Sequence, residues 1–236
     1  MPTTKSKARP TKFEGFSPAL LEFLRDLEKN NDKKWFDAHR AEYEEFYLDP
    51  AKRFAEAMGP GLHEISKHLR AEGRVNGSIM RINRDTRFSK DKTPYKTGLF
   101  LQFTEGEGPM KQGAGFGLHL QAKGIGMMGG MFGFDDAELV RFRQAVVDDK
   151  SGRALERAVN KVAKAGYGLN APHYKRVPRG FDADHPRADF LRHRTLFANY
   201  EESPVPKPLF GPDAVDYCLK RFKAMHPVQK WLVENL

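Results

Sequence analysis

Between Ser78 and Phe134 a succession of short segments alternates with a period of two, and this pattern constrains the fold more than any other feature. "SIMRIN" sets Met80 and Ile82 against Ile79, Arg81 and Asn83; "TGLFLQF" sets Leu99, Leu101 and Phe103 against Phe100 and Gln102. "GFGLHLQAK" sets Phe116, Leu118 and Leu120 against His119 and Gln121, and "IGMMGGMFGF" continues the extended run. The expectation is an antiparallel meander with one apolar face and one mixed face, the latter carrying Arg81, Asn83, Gln102, His119 and Gln121.

Inside this region Gly124, Gly126 and Gly129 spell GxGxxG. A dinucleotide fingerprint needs a helix to begin within those glycines, so that its amides and dipole meet the pyrophosphate. Here Gly129-Gly130 and the following Met/Phe pattern keep the chain extended to Asp135, so the motif reads as a glycine-rich hairpin.

Helices flank the meander. Ser17-Pro18 starts one, with Leu20, Leu21, Phe23, Leu24 and Leu27 at helical spacing. Asn31 or Asp32 caps a second, carrying Trp35, Phe36, His39, Tyr43 and Phe46 or Tyr47, and Pro50 is expected to break it. A third, Phe54 to Leu69, is expected to be interrupted at Gly59-Pro60-Gly61. After the meander, Asp135 or Asp136 caps a helix to about Val147, "SGRALERAVNKVAKAG" forms another, and a strand from Thr195 to Tyr200 precedes a final amphipathic helix from Asp213. These elements define an α+β fold: a single domain over 13–236, its antiparallel meander packed against N-terminal and C-terminal helices, preceded by a disordered basic tail at 1–12.

The charge is basic, +9 over 236 residues, and Lys5, Lys7, Arg9 and Lys12 in the tail account for four of it. No apolar run reaches the roughly 18 residues of a membrane span, and the N-terminus lacks the apolar stretch of a secretory signal. The single cysteine, Cys218, reads as a buried hydrophobe and fits a reducing cytoplasm. The histidines lack metal-ligand spacing, so neither a metal nor a cofactor is expected.

The densest polar chemistry is "RINRDTRFSKDKTPYK", Arg81 to Lys96, with six cations and two carboxylates. Arg81, Arg84 and Arg87 bring planar donor forks suited to carboxylate or phosphate, and Lys92 and Lys96 add point charges. A second basic stretch, Lys175 to Arg194, contributes Arg179. For proton transfer the candidates are Asp85, Tyr95, His119 and Asp184. Asp85 and Asp91 are equally suited to holding neighbouring guanidiniums, which would make the stretch an internal ion-pair brace.

The spacing Arg81-x-x-Arg84-Asp85-x-Arg87-Phe88, then Asp91-Lys92-x-x-Tyr95, resembles the defining motif of the DUF2461 family of bacterial proteins with fungal relatives. "NNDKKWF", "GFGLHLQ" with its glycine-rich hairpin, and "PRGFDADHP" extend the resemblance from Phe16 to the C-terminus. It implies one domain and supplies no activity. Three expectations follow: an anion site for a phosphorylated small molecule or nucleotide, with or without hydrolase or phosphoryl-transfer chemistry; a nucleic-acid module; or a structural or protein-interaction domain.

Overall fold

The computed structural model describes residues 12–106 and 113–236, so the expected basic tail, Lys12 excepted, lies outside the described residues. The meander forms as its alternation predicts. Strands β1 (Gly98–Thr104), β2 (Gly115–Gln121) and β3 (Gly124–Met131) pair antiparallel in unbroken register. Two further strands, β4 (Gly168–Leu169) and β5 (Leu196–Glu202), complete an antiparallel sheet of order β1-β2-β3-β5-β4. Gly124, Gly126 and Gly129 all lie within β3, so no helix begins in the GxGxxG sequence.

Helix α1 (Ala19–Lys29) buries the five expected apolar residues. Helix α2 (Lys33–Ala38) is capped by Asp32, whose side chain accepts from the Trp35 amide. Beyond it the helical run is less regular than the sequence suggests. It bends at His39 into a short α3 (Arg40–Glu42) and a π-helical turn, Tyr43–Leu48, and then continues as α4 (Asp49–Ile65).

Both expected breaks are absent. Pro50 occupies the first turn of α4, where its missing N–H is tolerated, and Pro60 lies inside an unbroken helix. Tertiary packing overrides the local breaker signal: Met58, Gly59 and Leu62 are buried, and a Cβ on Gly61 would stand 2.1 Å from Leu219 Cδ1. Gly61 is therefore where α4 crosses the C-terminal helix, α8 (Ala214–Asn235), at close range.

Between the meander and α8 lie α5 (Asp136–Val147), opened by the Asp135 capping box, α6 (Asp149–Lys164), and the short α7 (Ala188–Leu191). Leu99, Leu101, Phe103, Phe116, Leu118, Leu120, Ile125 and Met127 all face the helices and are buried. Phe222 of α8 stacks on Phe116 at 4.8 Å between ring centroids, and a Cβ on Gly129 would come within 2.7 Å of Met225 Cβ. One buried cluster joins the sheet face to both helical layers, and it includes Cys218, whose thiol burial pushes well above its usual range.

The "SIMRIN" stretch departs from expectation. It is no regular strand: Ile79 bridges Leu101, the Met80 amide donates to Phe100 O at 3.0 Å, and the chain then turns away. Ile79 and Ile82 are both buried although their parities differ, because the backbone bends between them. Met80 is left on the outer side of the sheet. Consequently Gln102, His119 and Gln121 share the outer face as expected, while Arg81 and Asn83 leave the sheet for the charged loop.

Candidate functional site

The loop is built by pinching its base. Asn83 bridges Tyr95, Arg84 N donates to Pro94 O at 2.8 Å, and Lys96 N donates to Ile82 O at 2.8 Å. Asn31, from the turn before α2, completes the pairing on the far side. Its side chain donates to Tyr95 O at 3.0 Å and accepts from Tyr95 N at 3.0 Å, so it acts as a one-residue strand partner. Phe36 stacks on the Tyr95 ring at 4.2 Å. These contacts tie the "NND" and "KTPYK" segments together across more than sixty residues of chain.

Within the loop each carboxylate holds one arginine. Asp85 takes Arg87 in a two-pronged contact, Nε to Oδ1 at 3.0 Å and Nη2 to Oδ2 at 2.7 Å. This hydrogen bonding holds the Asp85 carboxyl far below its usual acidity range. Asp91 accepts from the Thr93 amide and hydroxyl and from Arg84 Nη1 at 2.5 Å, which draws its pKa down to about 2. Arg84 also donates to the Thr93 hydroxyl and carbonyl. Lys92 Nζ donates to Thr86 O, and Lys96 Nζ donates to Arg81 O at 2.5 Å. Ion pairs this exposed are screened by solvent, so they shape the loop more than they stabilise the fold.

Where the loop meets the sheet there is a cavity of about 310 Å³ lined by Asn31, Arg84, Asp91, Thr93, Tyr95, Lys96, Thr97, Phe100, His119 and Gln121. Of the six residues expected to bind a ligand, Arg84 and Lys96 line it. Arg81 and Arg87 are exposed and, like Lys92, stand outside it. Arg179 does not join them: it lines a separate surface depression with Arg176, Phe181 and Arg192 that shares no residue with the loop cavity. Of the four proton-transfer candidates, Tyr95 and His119 line the loop cavity. Asp85 is locked on Arg87, and Asp184 sits exposed in the Asp182 turn.

His119 stands at the junction of this cavity with a second one. Its ring stacks on Phe100 at 3.6 Å between centroids, its Nε2 is buried without a hydrogen-bond partner, and that atom occupies the space a Cβ on Gly98 would take, at 2.4 Å. Burial pulls its pKa down to about 4, so the ring is neutral at pH 7. A histidine whose folded pKa lies below its unfolded value of about 6.5 favours the unfolded state as it protonates. Stability is therefore expected to fall as pH drops from about 6.5 towards 4, and His119→Asn should flatten part of that slope in chemical denaturation at successive pH values.

The second cavity, about 350 Å³, runs along the outer sheet face between Met80, Phe100, Gln102, Gly115, Gly117, His119, Met128, Gly130 and Phe132. Sequence reading missed it. The signal was present in glycines at alternate positions, Gly115 and Gly117 on β2 with Gly126 and Gly130 on β3, all on one face of the hairpin. Among the described residues no three His, Cys, Asp or Glu side chains gather as a metal site would.

An α+β domain whose charged loop closes one end of an open sheet face is thus the class of protein in hand. The chain belongs to the DUF2461 family of conserved hypothetical proteins, whose pattern matches residues 19–231. A search of curated proteins found no match. No helix among the described residues is long and apolar enough to cross a membrane.

Proposed function

We propose that this protein binds a small molecule through an anionic group, phosphate or carboxylate, received where the charged loop meets the sheet. The observation that carries the reading is the pairing of Arg84 with Lys96 on the wall of one cavity, beside neutral donors on Thr97 and Gln121. Arg84 is already oriented by Asp91 and Thr93, and a guanidinium held in place loses less freedom when an anion arrives. Arg84 and Lys96 outnumber the single carboxylate on the wall, Asp91, so the lining keeps a net positive charge. Chemistry on the ligand would fall to Tyr95 or His119, the two proton-transfer candidates on the cavity wall, although burial makes His119 a weaker base than a free imidazole.

A specific observation also favours the nucleic-acid reading. Phe88 at the loop tip is 95% exposed, with the Arg87 guanidinium 5.7 Å from its ring centroid and Lys90 and Lys92 nearby in sequence. An aromatic among cations is a stacking platform for unpaired bases.

Thermal shift separates the readings. A ligand present at a hundred times its Kd adds about 2.7 kcal/mol, or several degrees for a chain of this size. Inorganic phosphate or a small phosphorylated compound is expected to raise the melting temperature of the wild type and not of Arg84→Ala. A shift given only by single-stranded oligonucleotides, lost in Phe88→Ala and steeply salt-dependent, would replace the small-molecule reading with the other. No shift with any of these at millimolar concentration would leave the loop as a brace.

A further inference from the structure

We propose that the bound anion is one end of a larger ligand, and that the other end is a flat aromatic ring system laid on the glycine floor of the outer sheet face. The inference rests on the anion-binding reading above and adds the class of compound.

The two cavities are neighbours that share Phe100 and His119, so a molecule anchored at Arg84 and Lys96 extends naturally along the sheet. The chemistry changes along that path. The loop end offers charge and hydroxyls, whereas the sheet end is walled by Met80, Phe100, Met128 and Phe132, with Gln102 as a polar group. Polarizable thioethers and an aromatic edge are what a flat π-system contacts well.

The floor makes the shape argument. At Gly115 and Gly130 a Cβ would lie 2.2 Å from Phe103 O and 2.3 Å from Leu196 O, so local geometry explains those glycines. Gly117 meets no such backbone obstacle: a Cβ there would touch the flexible Met128 side chain, at 3.0 Å. Gly126 lies on the same face opposite His119 but outside the cavity lining. A strand glycine with room for a side chain gives up packing and costs backbone entropy. At Gly117 the lack of a side chain leaves a bare peptide plane level with the cavity, a surface that a planar ring covers and a branched chain does not. The cavity volume lies in the range of small-molecule sites. Phe132, large, apolar and 49% exposed, stands at the rim as the wall such a ring would cover.

The test is titration calorimetry of the full chain with three probes: inorganic phosphate, 1-naphthyl phosphate and 1-naphthoate. The expected result is that naphthyl phosphate binds about tenfold or more tighter than phosphate, the gain from burying the ring system. Phe132→Ala, at a half-exposed position that leaves the core intact, and Gly117→Ala, which raises the floor, should each remove that gain and leave phosphate affinity unchanged. Naphthoate shows whether a carboxylate replaces the phosphate; its binding with the same loss in Phe132→Ala supports the aromatic subsite. Naphthyl phosphate binding no tighter than phosphate overturns the aromatic proposal and leaves the anion site standing. Binding of none of the three overturns both.

Discussion

Replacing Arg187 with methionine is expected to destabilise the protein by about 3 kcal/mol or more, which for a chain of this length lowers the melting temperature by roughly 6–12 °C. Arg187 is 6% exposed and follows the "GFDADHP" turn, in which His185 Nδ1 accepts from its amide. Its guanidinium reaches back to the end of α5. Nε donates to Val146 O at 2.7 Å, and Nη2 lies 3.3 Å from Val147 O and 3.5 Å from Asp148 O. Carbonyls at a helix C-terminus have no intrahelical partner and carry the negative end of the helix dipole, so a buried cation there satisfies both. Asp149 at 3.5 Å and Glu156 at 3.9 Å balance the charge. Methionine keeps much of the side-chain volume and leaves these carbonyls buried and unpaired, so the loss reads the hydrogen bonds and not a void. Gly152→Ala strikes the same contact from the other side, because a Cβ there would stand 2.3 Å from Arg187 Nε and 2.4 Å from Val146 O. Urea denaturation of both variants measures the effect, and a melting temperature unchanged in Arg187→Met would show that water satisfies the helix end.

Asn31→Ala is expected to cost about 2–3 kcal/mol and to abolish ligand-induced stabilisation altogether. The side chain pairs both backbone groups of Tyr95, a residue 6% exposed, so alanine strands a donor and an acceptor in one step. Asn31→Asp keeps the acceptor for Tyr95 N and loses the donor to Tyr95 O, and an intermediate loss is expected from it. The functional consequence follows from position. Tyr95 lies between Thr93, which holds Arg84, and Lys96, so freeing its backbone loosens both cavity cations at once. A variant that melts lower yet retains the full phosphate shift would separate Asn31 from the site.

Much of this arrangement is legible in the sequence because it is local. The period of two in β1 and β2 gave the buried face, the pairs Asn31-Asp32 and Asp135-Asp136 marked helix starts to within one residue, with Asp32 and Asp135 the actual caps, and the glycines of β3 read as strand for want of a helix within them. What failed was local signal opposed by tertiary contact. Pro60 and Gly61 look like a helix break, but Gly61 is the crossing point with Leu219, and packing keeps the helix whole. Similarly, "SIMRIN" has the composition of a strand, yet only part of it pairs with β1 before the chain bends to bury Ile82. The charged loop could be found from residue types but not sorted. Which arginine each aspartate holds depends on the pinch between residues 82–84 and 94–96, and that pinch depends on Asn31, distant in sequence. Arg179 and Asp184 share the residue types of the site and not its location, which no spacing rule could reveal. A network of Tyr200, Tyr217 and Arg221 around Glu202, at the meeting of β5 and α8, was likewise invisible, being assembled from separate elements.

Methyl resonances test directly whether loop and sheet face form one site. Met80 and Met128 wall the outer cavity, whereas Met58, Met127, Met131 and Met225 are buried in the core. Titrating 1-naphthyl phosphate into methionine-methyl-labelled protein is expected to shift Met80 and Met128 by ring currents, to leave the four core methyls in place, and to lose both shifts in Arg84→Ala. Saturable binding that leaves Met80 and Met128 unmoved, or shifts that persist without Arg84, would contradict the account.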